Sequence, residues 1–434
     1  MVAEHSAAGD KHSPDAARRI SDTVQGFRPV PRTGVIYVMT EAARHGYTAD
    51  SPDWANLGQG APETGALPGG AARRHVIEID DVDHEYTPVD GLPELREAIA
   101  RLYNERYRVG KKSQYTADNV SICSGGRLAL ARVVSTLGRT NVGHFLPDYT
   151  AYEELLGTFG TFVAIPVMLS PDRGYEFTVG ELEQEILGRG LSALLLSNPS
   201  NPTGKLIRGD ALQSWIELAR SVRCTVITDE FYSHYVYDGD TPVSAAAYVD
   251  DVDRDPVIVL DGVTKNWRYP GWRVSWTLGP KPVIQALASV GSFLDGGCAG
   301  AMQRAAAKVV TSEIADKEAA SIRRAFAPKC EAMIDGLAKL GVEVNPAPAG
   351  SFYCWGNIEG LPDSVRTGRR LFEASLEEGL IVVPGHFFDI NPGQRRSERP
   401  SRFRHYARFS FGPSMEVVER GLAKLGRVID GAVR

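Results

Sequence analysis

The sequence predicts an α/β fold: a mostly parallel sheet sandwiched by helices, followed by a smaller α+β domain. Three observations point there. Short, nearly continuous apolar runs recur through the middle of the chain, as in strands buried on both faces. Longer amphipathic stretches lie between them. Past about residue 300 this alternation gives way to a more helical pattern and then to mixed elements.

Taken in order, residues 1–30 are small and polar and are expected to form a flexible arm. Residues 31–75 read as an N-terminal segment packing with the small domain, 76–300 as the large domain and 301–434 as the small C-terminal domain. GLPELREAIARLYNERY (91–107) sets Leu95, Ile99 and Leu102 at helical spacing. NVSIC (119–123) reads as a strand leading into the helix GGRLALARVVSTLG. VGHFL, TFVAIPVML, ALLLS, CTVITD, PVIVL and RVSWTL are further strands. Between ALLLS and CTVITD, GDALQSWIELARSV has Leu212, Trp215, Ile216 and Ala219 on one face, with Asp210 expected to cap the helix.

Composition narrows the function. The chain has 434 residues and a net charge of −6, so no nucleic-acid or anionic-membrane partner is expected. Its five cysteines are scattered, with no CxxC or Cys/His cluster, which argues against a disulfide framework or a metal site. No apolar run approaches the ~18 residues of a membrane span, and the N-terminus lacks the apolar core of a signal peptide. A cytoplasmic protein is expected.

The chemistry is carried by the turn after each strand, because an open α/β sheet binds ligands beyond the carboxyl ends of its strands. After NVSIC comes Ser124-Gly125-Gly126-Arg127 at a helix start, where free N–H groups favour an anion such as phosphate. After VGHFL comes Pro147-Asp148-Tyr149, which offers a ring for stacking. After ALLLS comes NPSNPTGK (198–205), a rigid turn with amide side chains. Asp229 ends CTVITD and needs a cation or donor. DGVTKNWRYPGWR (261–273) comes after PVIVL and supplies Lys265 and Arg273. A phosphate cradle, a stacking ring, an amide, a carboxylate, a lysine and an arginine together fit pyridoxal 5′-phosphate, whose aldehyde a lysine can bind.

These residues resemble a known family. NPSNPTGK, TDEFYSHYVYDG, DGVTKNWRYPGWR and ARFSFGP (407–413) are similar in kind and order to the class I/II aminotransferases, fold-type I pyridoxal-phosphate enzymes, from about residue 55 to the C-terminus. The resemblance implies that residues 76–300 bind the cofactor and that Lys265 holds it as a Schiff base and shuttles the Cα proton. It implies that Asp229 pairs with the ring nitrogen, and that Tyr232 and Asn201 bond the phenolate oxygen. Tyr149 would stack on the ring. Gly126, Arg127 and Arg273 would hold the phosphate, and Gly125 and Thr264 would belong to the cofactor site. Tyr86 would reach the phosphate of a neighbouring subunit, which implies a homodimer with shared sites. Arg408 would fork onto the substrate α-carboxylate, and Gly60 belongs to a segment that closes over the substrate. Tyr37, Gly58, Trp267 and Arg268 are expected near the side-chain pocket.

Four features depart from the family pattern: Arg127 in the phosphate turn, where an uncharged residue or lysine is frequent, Ser275 where glycine is usual, the glycine-rich GSFLDGGCAGAMQ (291–303), and the basic stretch NPGQRRSERPSRFRH (391–405). That stretch reads as a solvated loop or, alternatively, as a site in which Arg395 and Arg396 take a second anionic group of the substrate. The expected reaction is transfer of an amino group between an amino acid and a 2-oxo acid. The alternatives on the same scaffold are elimination or replacement, carbon–carbon bond formation, cyclisation or oxidation. A ligand-sensing regulator would want a DNA-binding module, and no helix-turn-helix pattern precedes residue 55.

Overall fold

A computed structural model describes residues 30, 34–158, 161–237, 239, 242–394, 396 and 400–433. The expected arm, 1–30, lies outside them apart from Val30. The elements begin with α1 (Gly34–Arg44), β1 (Ala55–Asn56), α2 (Pro93–Tyr107), β2 (Val120–Cys123), α3 (Gly126–Thr136), β3 (Asn141–Leu146), α4 (Tyr152–Thr158) and β4 (Val163–Met168). Next come α5 (Val179–Arg189), β5 (Leu191–Ser197), α6 (Gly209–Val222), β6 (Thr225–Asp229), β7 (Val257–Gly262), β8 (Ser275–Leu278), α7 (Lys281–Leu294), α8 (Gly300–Ala307) and α9 (Ser312–Lys339). The chain ends with β9 (Glu343–Val344), β10 (Tyr353–Asn357), α10 (Gly368–Glu377), β11 (Leu380–Ile381), β12 (Val383–Pro384), β13 (Tyr406–Ser410) and α11 (Met415–Val433).

Seven strands form one sheet in the order β2-β8-β7-β6-β5-β3-β4. All run parallel except β8, which is antiparallel to both neighbours. The apolar runs alternate between two cores, one on each face. Leu195, Ile227, Ile258 and Leu260 face one core; Leu194, Leu196, Val226, Val257 and Val259 face the other. Four antiparallel strands, β12-β13-β10-β9, make a second sheet, and β1 pairs in parallel with β11. The N-terminal segment is thereby stitched to the C-terminal part.

Local chemistry explains the helix ends. Thr178 starts α5 with a reciprocal box: its hydroxyl accepts from the Glu181 N–H, and the Glu181 carboxylate accepts from the Thr178 N–H. Gly190, at φ 60°, ends that helix in the left-handed conformation. Asp210 is not the cap of α6 as expected. Arg208 holds that position, and Asp210 sits in the first turn, where a carboxylate still favours the helix dipole.

The glycine-rich stretch 291–303 also has a physical cause. The fully buried Arg132 guanidinium packs against Gly291, where any Cβ would overlap it. Arg132 Nε donates to Asp295 Oδ2 at 2.9 Å. Gly296 and Gly297 turn at φ 70° and 107°, and a Cβ on Gly300 would stand 2.8 Å from Asp83 Oδ1. Ser275 is accommodated by a glycine across the ladder: it pairs with Gly262, whose Cβ would lie 2.7 Å from the Ser275 Cα.

Gly291→Ala should destabilise the chain by about 2–3 kcal/mol in denaturant titration, through overpacking against a buried ion pair. Gly138→Ala, which meets nothing within 4 Å, should change stability by less than ~1 kcal/mol.

Candidate active site

The strand ends that carry the expected residues are adjacent and in register. Ser197 of β5 pairs with Asp229 of β6, which pairs with Leu260 of β7. The turns 198–205, 229–235 and 261–273 therefore meet at one edge of the sheet. Because β8 runs antiparallel between β2 and β7, it brings Arg273 to the start of α3.

Lys265 sits at the centre. Its Nζ donates to the Gly60 carbonyl and stands 5.9 Å from the Phe352 ring centroid. Burial, then the guanidinium groups of Arg408, Arg273 and Arg127, push the amine down to about 7, while Asp229 acts in the opposite sense. The lysine is thus poised to be neutral near physiological pH.

Asp229 is pushed up to about 6, chiefly by burial. Its Oδ2 accepts from the Tyr152 hydroxyl at 2.8 Å and its Oδ1 from the Phe231 N–H at 3.4 Å. No cation bonds it directly among the described residues. Tyr232 shares a 2.9 Å hydrogen bond with the Tyr353 hydroxyl. Burial raises the Tyr232 phenol well above its ordinary value.

The phosphate cradle is shaped by contacts that exclude side chains. Gly125, at φ 94°, lies against the Arg273 guanidinium, which a Cβ there would overlap. A Cβ on Gly126 would lie 2.5 Å from Phe231 Cζ. Arg273 is itself in the left-handed region at φ 54°, with Nη1 donating to the Pro270 carbonyl at 3.1 Å. Thr264 Oγ1 is buried without a hydrogen-bond partner. An orphaned hydroxyl, a helix N-terminus and a guanidinium around a glycine pair fit a phosphate. Arg127, exposed at the start of α3, donates to the Tyr149 hydroxyl at 3.2 Å.

Arg408 is almost fully buried. Nη1 donates to Asn201 Oδ1 at 2.9 Å and Nη2 to the Gly58 carbonyl at 2.7 Å, while Nε is buried without a partner. The guanidinium lies 4.1 Å from the Tyr353 ring centroid. A Cβ on Gly60 would stand 2.5 Å from the Tyr353 hydroxyl, so the strap 58–60 passes where only glycine fits.

Not every expected residue is in this constellation. Tyr86 stands apart, 99% exposed on an extended segment. Trp267 and Arg268 are not pocket residues. Trp267 is in the core with Nε1 donating to the Val309 carbonyl, because the turn after Lys265 directs it inward. Arg268 is fully buried, pairs with Glu318 at 3.1 Å and donates to the carbonyls of Glu63 and Gly65. Tyr37 packs on Phe372 and Phe387. In the basic stretch, Arg395 lies outside the described residues. Arg396 is bound to Asp389 at 2.7 Å and to the Ile390 carbonyl at 2.6 Å, which favours the ion-paired loop over an anion site. Sequence reasoning missed Tyr152 and Tyr353. Tyr152 could have been found as the second tyrosine after β3; Tyr353 arrives from the other sheet and has no local signal.

Comparison with known proteins agrees with this geometry. The family model for aminotransferase class I and II matches residues 52–425. An aspartate/prephenate aminotransferase from Thermus thermophilus is 28% identical over 426 residues, covering 96% of this chain and 100% of that protein. An aspartate aminotransferase from Streptomyces avermitilis is 29% identical over 360 residues, covering 80% and 82%. Among solved structures, an aspartate aminotransferase from Thermus thermophilus with maleate superposes with a TM-score of 0.74 at 24% identity, over 95% of this chain and 98% of that one. With most of its length matched, the chain belongs to the class I and II aminotransferases, enzymes that move an amino group between an amino acid and a 2-oxo acid.

Proposed function

We propose that this aminotransferase uses pyridoxal 5′-phosphate, held by Lys265. The observation that carries the reading is the half-buried Lys265 amine, bonded to the Gly60 carbonyl and pushed down to about 7 by burial and by the guanidinium groups of Arg408, Arg273 and Arg127, with Asp229 as the opposing charge. When bound, the cofactor supplies an electron sink for the electrons left at the substrate Cα.

The chain's own groups divide the remaining work. Gly125, Gly126, Arg127, Thr264 and Arg273 would hold the phosphate. Asp229, oriented by Tyr152, would keep the ring nitrogen protonated. Tyr232 and Asn201 would bond the ring oxygen, and Tyr149 would cover the ring face. Arg408 would take the substrate α-carboxylate in place of the Gly58 carbonyl and the Asn201 amide oxygen. Lys265 Nζ, neutral above about pH 7, would take and return the Cα proton. Aspartate with a 2-oxo acid is the first pair to assay, given the relatives' names.

We also infer a homodimer. Val76, Ile79, Val82 and Tyr86 are all exposed along one segment, and a second copy would cover them and receive Tyr86 at its phosphate. The division at 76–300 and 301–434 is supported by the two sheets, which fall within 120–278 and 343–410. Five free, buried cysteines suit a cytoplasmic protein.

Lys265→Ala should abolish the Schiff-base absorbance of protein loaded with the cofactor, and in the wild type borohydride should fix the cofactor to Lys265 alone in peptide mapping. Arg408→Ala should raise KM for the amino acid by roughly 10²-fold while the visible spectrum stays intact. Cofactor capture by the cofactor-free chain should accelerate through about pH 7, where the Lys265 amine loses its proton, rather than near the ordinary lysine value. Asp229, raised to about 6, binds its proton more tightly when folded, so its contribution to stability is lost as pH rises from the ordinary carboxylate value through about 6. Cofactor-free Asp229→Asn should therefore melt above the wild type at pH 7, with the gap closing by about pH 4.

A further inference from the structure

Asn266, the residue after Lys265, is fully buried. Its Nδ2 donates to Asp261 Oδ1 at 2.8 Å, to Ser233 Oγ at 3.0 Å and to the Glu230 carbonyl at 3.1 Å. Its Oδ1 accepts from the His234 N–H at 3.1 Å, and its carbonyl meets His234 Nδ1 at 3.0 Å. These partners come from two places. Asp261 belongs to the end of β7. Glu230, Ser233 and His234 belong to the turn that carries Asp229 and Tyr232.

The anchors are themselves fixed. Asp261 Oδ1 also accepts from the Gly262 N–H at 2.6 Å, and Oδ2 accepts from the Tyr103 hydroxyl at 3.3 Å. Trp276 Nε1 donates to that hydroxyl at 3.3 Å. His234 Nε2 meets Arg106 Nη1 at 3.2 Å. Lys265 Nζ, by contrast, reaches the Gly60 carbonyl on a separate segment. Its own carbonyl accepts from Tyr235 at 3.1 Å, again from the turn after β6. The placement of Lys265 against Asp229 and Tyr232 thus rests on backbone and Asn266 bonds, not on the lysine side chain.

We propose that Asn266 is a positioning residue that locks the Lys265 turn to the Asp229–Tyr232 turn and so sets where the lysine amine stands. The proposal rests on the role assigned to Lys265 above. Without the Asn266 amide, three buried acceptors lose a donor, and of the side-chain links described above the two turns keep only the Tyr235 bond to the Lys265 carbonyl and the His234 ring's bond to the Asn266 carbonyl. A small displacement of a reacting group is enough to slow a reaction by orders of magnitude.

The test uses Asn266→Ala and the nearly isosteric Asn266→Leu, neither of which changes charge. In the cofactor-free chain, lysines are ¹³C-methylated, and the Lys265 resonance, identified by its loss in Lys265→Ala, is titrated. Both variants should raise the Lys265 midpoint by about one pH unit, as the amine moves out of its buried, arginine-flanked position. In loaded enzyme they should lower kcat about tenfold or more with KM for the amino acid within about threefold, since Arg408 stands on another element. An unchanged midpoint and kcat in a folded variant, with only a lower melting temperature, would overturn the proposal. Should neither variant fold, Ser233→Ala should move the midpoint the same way by a smaller amount, and no movement there overturns it too. Borohydride mapping of the wild type reads the Lys265 assignment separately. Its failure would remove the cofactor reading and leave the titration to judge Asn266.

Discussion

The constraint on which this structure turns is the crowding of one half-buried lysine amine against the buried Arg408 and two exposed guanidinium groups. Lys265 stands in the field of Arg408, Arg273 and Arg127, with Asp229 as the opposing charge. Burying Arg408 and partly burying Lys265 is costly unless each finds oxygen atoms. The strap after β1 provides them: the carbonyl of Gly58 serves Arg408 and that of Gly60 serves Lys265. Those carbonyls can approach only because both positions lack a side chain.

Much of the rest holds that strap in place. Ala55 and Asn56 pair with Leu380 and Ile381. The Glu63 N–H donates to the Gly412 carbonyl at 2.8 Å, and its carboxylate is bound by the buried Lys329. Arg268 bonds the carbonyls of Glu63 and Gly65 from below. Two buried cations distant from the lysine in role are thus part of its environment. The same strap covers Arg408, whose guanidinium is already bonded to the Gly58 carbonyl and Asn201 Oδ1.

The departures from the family pattern divide by cause. Gly291, Gly296, Gly297 and Gly300 answer to packing around Arg132 and Asp83. Ser275 answers to Gly262 across the ladder. Arg396 is taken up by Asp389. These three are structural accommodations.

Much of this was legible in the chain itself. Apolar runs of strand length alternating with amphipathic helices determine a parallel sheet, because a strand buried on both faces can have no polar side. Once the sheet is parallel, the turns after its strands must share an edge, so Lys265, Asp229, Asn201 and Gly125 were bound to meet. The partners of those residues were not legible. Tyr353 reaches Tyr232 from the second sheet, Gly60 reaches Lys265 from the N-terminal strap, and Asn266 reaches Asp261 and Ser233 through a turn whose path is set by burial. Trp267 and Arg268 looked like pocket residues because they flank the lysine, yet the turn sends both inward. Periodicity and turn chemistry act over a few residues and so are written locally. Which oxygen faces which cation depends on how separate segments pack, and only the tertiary structure decides that.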